Sequence, residues 1–581
     1  MRTRFGLLTR HFLRQFLEND TISPGGDRAQ LLAVVGAMAV SATLFLSMFM
    51  SRKYLGTWMP GSAAVASLDD KFFYLAFGMI VAALVAAAQW EALSIDPRDA
   101  AILEPLPVPA GTIRRAKLAA VAMLGATVAI AINLFPSFVF PWLLAVGVSQ
   151  LGPWGLALLM VVHAVVSVAA AAFGYLVVVA LRETAAAVAG PRGFSLVSSW
   201  LQGALIVVLG SSLLLLPAAA DRVAQRGFDG WRSLSPPLWF LGVYETLAGG
   251  VIADLPRSAT MTPRQQASDS INSALYDQRR DEFPTLARRA GTAAAVAFAF
   301  AAASYLWRAR RQASLSPAPP ARYRRPWRLG ARLADLVLVR DSVARAGFYF
   351  ALAAMWRSNI HRLTLACAAA AGFAMAILAL SNAFPEEGGP FSARFLAVQP
   401  LLYGALLVGC RHVIRVPAEL RANWGFQLAW SDRGPAFVRG VKCAALIALA
   451  VPALLVVLPL FIVVLGLERA VMQALLGLAG AIVLLELLLF DYDKVPFTCT
   501  YLPSENMKAL APLYLLAFLY GASWFARLQQ AALTSGWAPG VLAVLAVMFV
   551  ALRVIGARRS ERPPVDFDEV PTTYQRLDLY T

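Results

Sequence analysis

The sequence predicts an all-α integral membrane protein, and three observations support this. Hydrophobic residues make up 59% of the 581 residues, whereas charged residues make up only 15%. A soluble protein typically carries about 25% charged residues and has no interior for so much apolar side chain. The apolar residues occur in runs of about 20, the length of a helix that crosses about 30 Å of hydrocarbon. Arginine and lysine cluster between these runs, as expected for cytoplasmic loops.

About twelve spans are predicted, six in each half of the chain. Those of the first half lie near 31–50, 72–91, 118–146, 154–181, 195–217 and 290–307. Those of the second half lie near 363–381, 396–410, 443–465, 471–490, 509–526 and 538–556. The corresponding domains are a first half, an arginine- and proline-rich linker, a second half and a basic tail, at 1–307, 308–340, 341–556 and 557–581.

An amphipathic helix is predicted ahead of each half, at 4–17 and at 341–361. The apolar face of the first carries Phe5, Leu8, Phe12 and Phe16, and that of the second Phe348, Leu352, Met355 and Trp356. Arginines flank both faces, a pattern typical of helices that lie in the membrane interface. We therefore expect both helices to be interfacial.

A long loop follows the second span of each half, at 94–117 and at 411–442. The span after each loop contains two prolines, which kink or break a helix: Pro136 and Pro141, then Pro452 and Pro459. This order of features occurs twice in the same direction, so the sequence predicts two parallel six-helix repeats.

The loop positions carry most of the basic residues, which places both termini in the cytoplasm. The formal net charge of +17 is then explained by anionic lipid headgroups rather than by nucleic acid. The abundance of arginine and alanine is typical of a bacterium, so we expect the bacterial inner membrane. One large segment, 218–288, is predicted outside, and its apolar stretch at 236–245 indicates an interfacial or re-entrant helix.

The sequence contains no motif for nucleotide binding, nucleophilic catalysis or a zinc protease. Its four histidines are scattered, and its four cysteines form no metal-binding spacing. We therefore predict no enzymatic activity, no catalytic residue, no cofactor and no metal in this chain.

The loop at 94–117 contains Arg98-Asp99, then Leu103, then Leu106-Pro107-Val108 and, at its end, Lys117. This pattern resembles the loop after the second span in ABC-2-type exporter permeases, as do the preceding amphipathic helix and the outside segment. The resemblance implies a coupling helix that seats in a groove of a separate ATPase subunit. The second loop keeps Glu419 and Leu420 but lacks the Leu-Pro-Val sequence. Its candidate docking residues are Glu419, Arg421 and Trp424, the last as an aromatic anchor for a partner.

Both loops also have simpler interpretations. The first is equally compatible with an ordinary amphipathic surface helix, and Trp424 with an aromatic residue in the headgroup region. Four polar residues within or near spans are candidates for intramembrane contacts: Asn133, His163, Glu91 and Glu486. We expect interhelical hydrogen bonds for the first two, and snorkelling or pairing with an arginine for the two carboxylates.

The function predicted from these features is that of a transport permease that works with a separate ATP-binding cassette subunit. A major-facilitator-type secondary transporter is the alternative, because it too has a six-plus-six repeat and a basic central loop. A membrane anchor or assembly subunit of a larger complex is a third. The sequence identifies no substrate, although lipid-like or amphipathic cargo fits the apolar spans.

Overall fold

The structure, a computed structural model, describes most of the chain in separate stretches. These are residues 3–17, 59–95, 97–148, 151–228, 230–255, 262–311, 340–381, 391–417, 425, 434–490, 495–498 and 505–559. The predicted first span at 31–50, nearly all of the linker and the C-terminal tail beyond 559 lie outside the described residues. So do Glu419, Arg421 and Trp424 of the second loop.

Every regular element in the described stretches is helical, and the chain divides into two compact units, Met1–Arg322 and Tyr323–Thr581. The first unit contains α1 (Arg4–Leu17), α2 (Pro60–Ala88), α3 (Pro97–Leu103), α4 (Ala110–Leu134), α5 (Pro136–Gly147), α6 (Pro153–Ala219), α7 (Val223–Arg226), α8 (Pro236–Ala248), α9 (Pro263–Arg280) and α10 (Phe283–Arg311). A 3-10 turn, Gly230–Leu234, precedes α8.

In the described part of the second unit, the first helix is preceded by an aspartate cap, since the side chain of Asp341 accepts a hydrogen bond from the N–H of Val343. Its helices are α11 (Ser342–Arg357), α12 (Asn359–Ser381), α13 (Ala393–Leu396), α14 (Val398–Arg415), α15 (Gly434–Ala445), α16 (Val451–Leu465), α17 (Leu467–Leu488), α18 (Glu505–Ser535) and α19 (Ala538–Arg559). A π-helical turn, Leu446–Ala450, joins α15 to α16.

Ten helical segments of the described chain are long and apolar enough to cross a membrane. They are Pro60–Ala88, Ala110–Val146, Pro153–Gly190, Val197–Ala219, Phe283–Arg310, Ile360–Ser381, Ala393–Arg415, Gly434–Leu465, Leu467–Leu488 and Ala538–Gly556. Each overlaps one of the predicted spans. The predicted span at 509–526 falls within α18, which is not among the ten.

The largest difference between prediction and structure is the start of α2. The sequence predicts a span near 72–91, so that Asp69, Asp70 and Lys71 lie just before it. The helix instead begins at Pro60, a residue suited to the first turn of a helix. It continues without a break through Asp69, Asp70 and Lys71. Lys71 is only 2% exposed, so the charge is buried inside the unit rather than left at a membrane boundary.

Prolines mark the interruptions of the helices that follow the long loops. Pro136 begins α5 directly after α4 ends, and Pro452 lies at the start of α16 beside the π-helical turn. Pro141 and Pro459 lie inside α5 and α16. Helix α6 is interrupted at Gly190, whose φ of 66° suits glycine and separates two candidate spans.

The core of the first unit lies between α2, α6, α8 and α10. Helix α8, predicted as interfacial or re-entrant, packs on α10 and contributes buried Phe240, Leu241 and Tyr244. Glycine permits the closest approach here, because a Cβ at Gly242 would lie 2.7 Å from the carbonyl oxygen of Phe283. Helix α8 is therefore part of the packed unit.

Candidate functional site

The first candidate site is the loop that joins α2 to α4. A turn after α2 leads to the short helix α3, and an irregular stretch over 104–109 leads to α4. Leu103 is buried at 9% exposure, whereas Ile102 and Leu106 are 66% and 47% exposed. Leu106 and Pro107 therefore lie at the surface as a docking loop requires, and Ile102 joins them. The Leu103 side chain is buried, so it anchors the loop to the rest of the unit.

Helix α1 packs against this loop and against α4. Nε2 of His11 lies 3.5 Å from Oδ1 of Asp99, the acidic residue of the predicted docking motif. A guanidinium nitrogen of Arg4 donates a hydrogen bond of 3.5 Å to the carbonyl oxygen of Pro107. The backbone of Arg98 belongs to α3, and its side chain is outside the described residues.

The aromatic face of α1 is turned toward the protein. Phe12 and Phe16 are 0% and 1% exposed, and the ammonium of Lys117 lies 4.9 and 4.5 Å from their ring centres. Phe5 is exposed, and Leu8 is half-buried. The expectation that these four residues form one membrane-facing surface is therefore wrong for Phe12 and Phe16. Both rings instead pack against α4, where they make cation–π contacts with Lys117.

The far side of the loop is connected to α10 and α6. Arg114 donates a hydrogen bond of 2.8 Å to the carbonyl oxygen of Ala309. Glu183 of α6 lies between two arginines, with Nη1 of Arg182 and Nη1 of Arg308 each 2.6 Å from one of its oxygens. Arg182 also donates to the carbonyl oxygen of Trp90 at 2.8 Å. The loop is thus joined to its unit at both ends.

In the second unit α11 packs closely against α15, as α1 packs against α4 in the first unit. A Cβ at Gly440 would lie 1.9 Å from the carbonyl oxygen of Ala344, and one at Gly347 would lie 2.3 Å from that of Phe437. Phe348 and Met355 are buried in this unit's core, so they do not face a membrane as expected, whereas Trp356 is 42% exposed. Leu352 is partly buried against the same core.

The predicted carboxylates have different surroundings. Glu91 is exposed in the turn after α2. Glu486 forms an ion pair with Lys442, which begins the span after the second loop. We expected an arginine as the partner of Glu486. The partner is instead Lys442, because α15 carries this lysine next to Glu486 of α17.

Asn133 lies between α4 and α6 and is 2% exposed. Its amide nitrogen donates to the carbonyl oxygen of Ala129 at 2.8 Å and to that of Ser167 at 3.3 Å. Gly78 of α2 provides the space, since a Cβ there would meet the Asn133 side chain at 3.0 Å. The residue therefore hydrogen-bonds between helices.

His163 is fully buried, and neither ring nitrogen has a hydrogen-bond partner within the described residues. Three aromatic rings surround it, with centroid distances of 5.5 Å to Tyr74, 5.2 Å to Phe140 and 5.7 Å to Tyr244. The interhelical hydrogen bond expected for His163 is therefore absent, and the contacts are aromatic instead.

A second site, which the sequence analysis did not identify, lies next to this histidine. Nζ of Lys71 is 2.6 Å from Oε1 of Glu245, and the Tyr276 hydroxyl donates a hydrogen bond of 2.7 Å to Oε2. All three side chains are nearly fully buried. Burial, and then the charge of Glu245, raise the pKa of Tyr276 far above its usual value, so this phenol remains a donor.

Two signals in the sequence point to this site in retrospect. One is the charged triplet that ends in Lys71 between two apolar stretches. The other is Glu245, the single carboxylate in α8. The gap lined by Lys71, Glu245 and Tyr276 admits no water molecule, so the arrangement is a packed ion pair and not an open binding pocket.

The described residues contain no group of three or more potential metal ligands. Comparison with known proteins gives no assignment: no protein-family model, no curated protein and no solved structure matches this chain.

Proposed function

We propose that this protein is the membrane-spanning permease of an ABC-2-like transporter and that a separate ATPase subunit binds the loop around α3. The observation that carries the proposal is the exposure of Ile102 and Leu106 on a loop that is otherwise well anchored. Contiguous apolar patches at a surface mark protein-interaction sites, and we infer that Ile102 and Leu106 belong to such a patch.

The anchoring supports a mechanical role for the loop. Force applied at α3 reaches α1 through Asp99 and His11, and reaches α10 through Arg114 and Ala309. It also reaches the proline-interrupted α4–α5 segment directly, because α4 begins immediately after the loop. An ATPase that pushed on this loop would therefore move several spans together.

The proposal includes twelve spans in two parallel repeats. Each unit contains an amphipathic helix that packs on the span after a long loop, α1 on α4 and α11 on α15. Each of these spans is followed by a proline-interrupted segment, α5 in one unit and α16 in the other. The two further spans would be 31–50 and the apolar part of α18. Both termini would then lie in the cytoplasm of a bacterial inner membrane, and the substrate would be lipid-like or amphipathic.

Co-purification from native membranes tests the proposal. We expect the tagged wild-type chain to recover an ATPase subunit, and Leu106→Asp or Ile102→Asp to lose it. Ile271→Asp is the matched control, because Ile271 is 69% exposed on α9, far along the chain from the loop. Leu103→Asp is unsuitable, since Leu103 is buried and its substitution would disturb packing. Recovery of no ATPase by the wild type would contradict the proposal.

One observation favours the secondary transporter as a second candidate. The Lys71–Glu245 ion pair is buried within the first unit, and paired ionisable residues inside membrane proteins often mark ion or substrate pathways. Proton-coupled uptake by the purified chain in liposomes, abolished by Glu245→Gln and independent of ATP, would support this candidate. The absence of proton-coupled uptake, together with recovery of an ATPase, would exclude it.

A further inference from the structure

The beginning of α2 is connected to a separate segment of the first unit, residues 220–282, which we call the cap. The N–H of Ser62 donates to Oδ1 of Asp269 at 2.9 Å, and the N–H of Val223 donates to Oδ1 of Asp69 at 2.8 Å. Two helices of the cap, α8 and α9, pack against α2. The beginning of α2 thus acts as the support of the cap.

The Lys71–Glu245 ion pair is the buried member of this set of contacts. Lys71 belongs to α2, Glu245 to α8 and Tyr276 to α9, so one carboxylate joins three helices. Both of its oxygens are used, and the ammonium of Lys71 also lies 4.9 Å from the ring centre of Tyr244. The ion pairs that Glu183 forms with Arg182 and Arg308 are less buried than this one.

Ion pairs of this kind contribute little net stability, because burial removes the hydration of both charges. Breaking one, by contrast, leaves an uncompensated buried charge and is strongly destabilising. Within a membrane span such charges usually serve a function. The position of Lys71, eleven residues into a candidate span, meets that description.

An aromatic contact connects the ion pair to the proline-interrupted segment. The ring of Tyr244 contacts His163, and His163 contacts Phe140 of α5. Displacement of α8 would remove Tyr244 from His163, whereas Phe140 would keep its contacts with His163 and Tyr74. His163 of α6 is therefore the residue through which α8 and α5 share a contact.

We propose that the Lys71–Glu245 ion pair is a latch that holds α8 against α2 and α6, and that its opening releases α8. The hydrogen bond from Tyr276 strengthens the closed arrangement by fixing the carboxylate. The latch belongs to this chain alone and operates whether or not an ATPase is the energy source.

Cysteine accessibility in the full-length protein tests the latch. Ala248 is 3% exposed, lies one turn after Glu245 and lines the same gap as Lys71. In a chain whose native cysteines are replaced by serine, Ala248→Cys is reconstituted in liposomes and treated with a water-soluble maleimide. We expect slow labelling of this parent, and labelling at least about tenfold faster in Glu245→Gln and in Lys71→Met, because a lone buried charge opens the site.

The charge-swapped double variant Lys71→Glu with Glu245→Lys is expected to restore slow labelling, since it restores the pair. Arg280→Ala is the control, because Arg280 forms an exposed ion pair with Asp254 within the cap and is expected to leave the rate unchanged. Unchanged labelling in the single variants, or a double variant that labels as fast as they do, would overturn the latch.

If the single variants do not yield folded protein, Tyr276→Phe replaces them. It keeps the ion pair and removes one hydrogen bond, so we expect a labelling rate above that of the parent. A rate equal to that of the parent would overturn the proposal in that case.

Discussion

Arg114, in the second turn of α4, donates a 2.8 Å hydrogen bond to the main-chain carbonyl oxygen of Ala309, near the end of α10. The next residue toward the N-terminus, Arg308, pairs with Glu183 of α6. The N-terminal end of α4 is therefore bonded to the C-terminal end of α10, which is in turn paired with α6. Removal of this contact should loosen that end of the unit while leaving the loop sequence intact.

We expect Arg114→Ala to lower the free energy of unfolding by about 1.5 kcal/mol, the usual contribution of a hydrogen bond to a charged donor. Thermal unfolding in mild detergent measures the change. Arg115→Ala is the matched control, because Arg115 is exposed and donates a hydrogen bond within its own helical turn, to the carbonyl oxygen of Gly111. Equal destabilisation by the two variants would show that the contact with Ala309 contributes nothing specific.

Lys117→Met should release α1 from α4. The ammonium of Lys117 lies over the rings of Phe12 and Phe16 in a site where Lys117 is 5% exposed, and such cation–π contacts contribute about 2 kcal/mol when desolvated. Hydrogen exchange over residues 4–17 is expected to become faster, while exchange in α2 stays unchanged. Protection of α1 equal to that of the wild type would contradict the role assigned to Lys117.

Gly440→Ala should destabilise the second unit strongly. Its new methyl group would lie 1.9 Å from the carbonyl oxygen of Ala344, so α11 and α15 must separate, at a cost of about 1–3 kcal/mol. Gly291→Ala is the control in another helix, because nothing lies within 4 Å of its Cβ position. There alanine is expected to be neutral or stabilising, since it favours the helix. The prediction fails if both variants unfold at the same temperature.

The hydropathy pattern was sufficient for the helical membrane class, because long runs of apolar residues are its main signal. It was insufficient at Lys71, where a buried partner on a distant helix compensates a charge that the local sequence marks as a boundary. The same limit applies to Phe12 and Phe16. An amphipathic face has the same spacing whether it meets lipid or a lysine on another helix, so only tertiary contacts distinguish the two.

Lys442 and Glu486 should show strong coupling in a double-mutant cycle. Each single substitution, Lys442→Met or Glu486→Leu, leaves a partly buried charge without its partner, whereas the double variant removes both charges. We therefore expect the double variant to be less destabilised than the sum of the two, by at least about 1 kcal/mol. The exposed pair Arg280–Asp254 is the comparison and should give little coupling. Additive effects of the two substitutions would show that the contact between Lys442 and Glu486 contributes nothing to the free energy of unfolding.

Tyr276 should make stability depend on pH in the alkaline range. Burial and the charge of Glu245 raise the pKa of its phenol in the folded state, whereas the unfolded chain has the ordinary value of about 10. Since the unfolded state alone loses this proton, the contribution of Tyr276 is complete below about pH 10 and falls by about 1.4 kcal/mol for each further pH unit. We expect the advantage of the wild type over Tyr276→Phe in thermal unfolding to shrink between about pH 9 and about pH 11. A constant difference between the wild type and Tyr276→Phe across this range would mean that Tyr276 is solvated and does not close on Glu245.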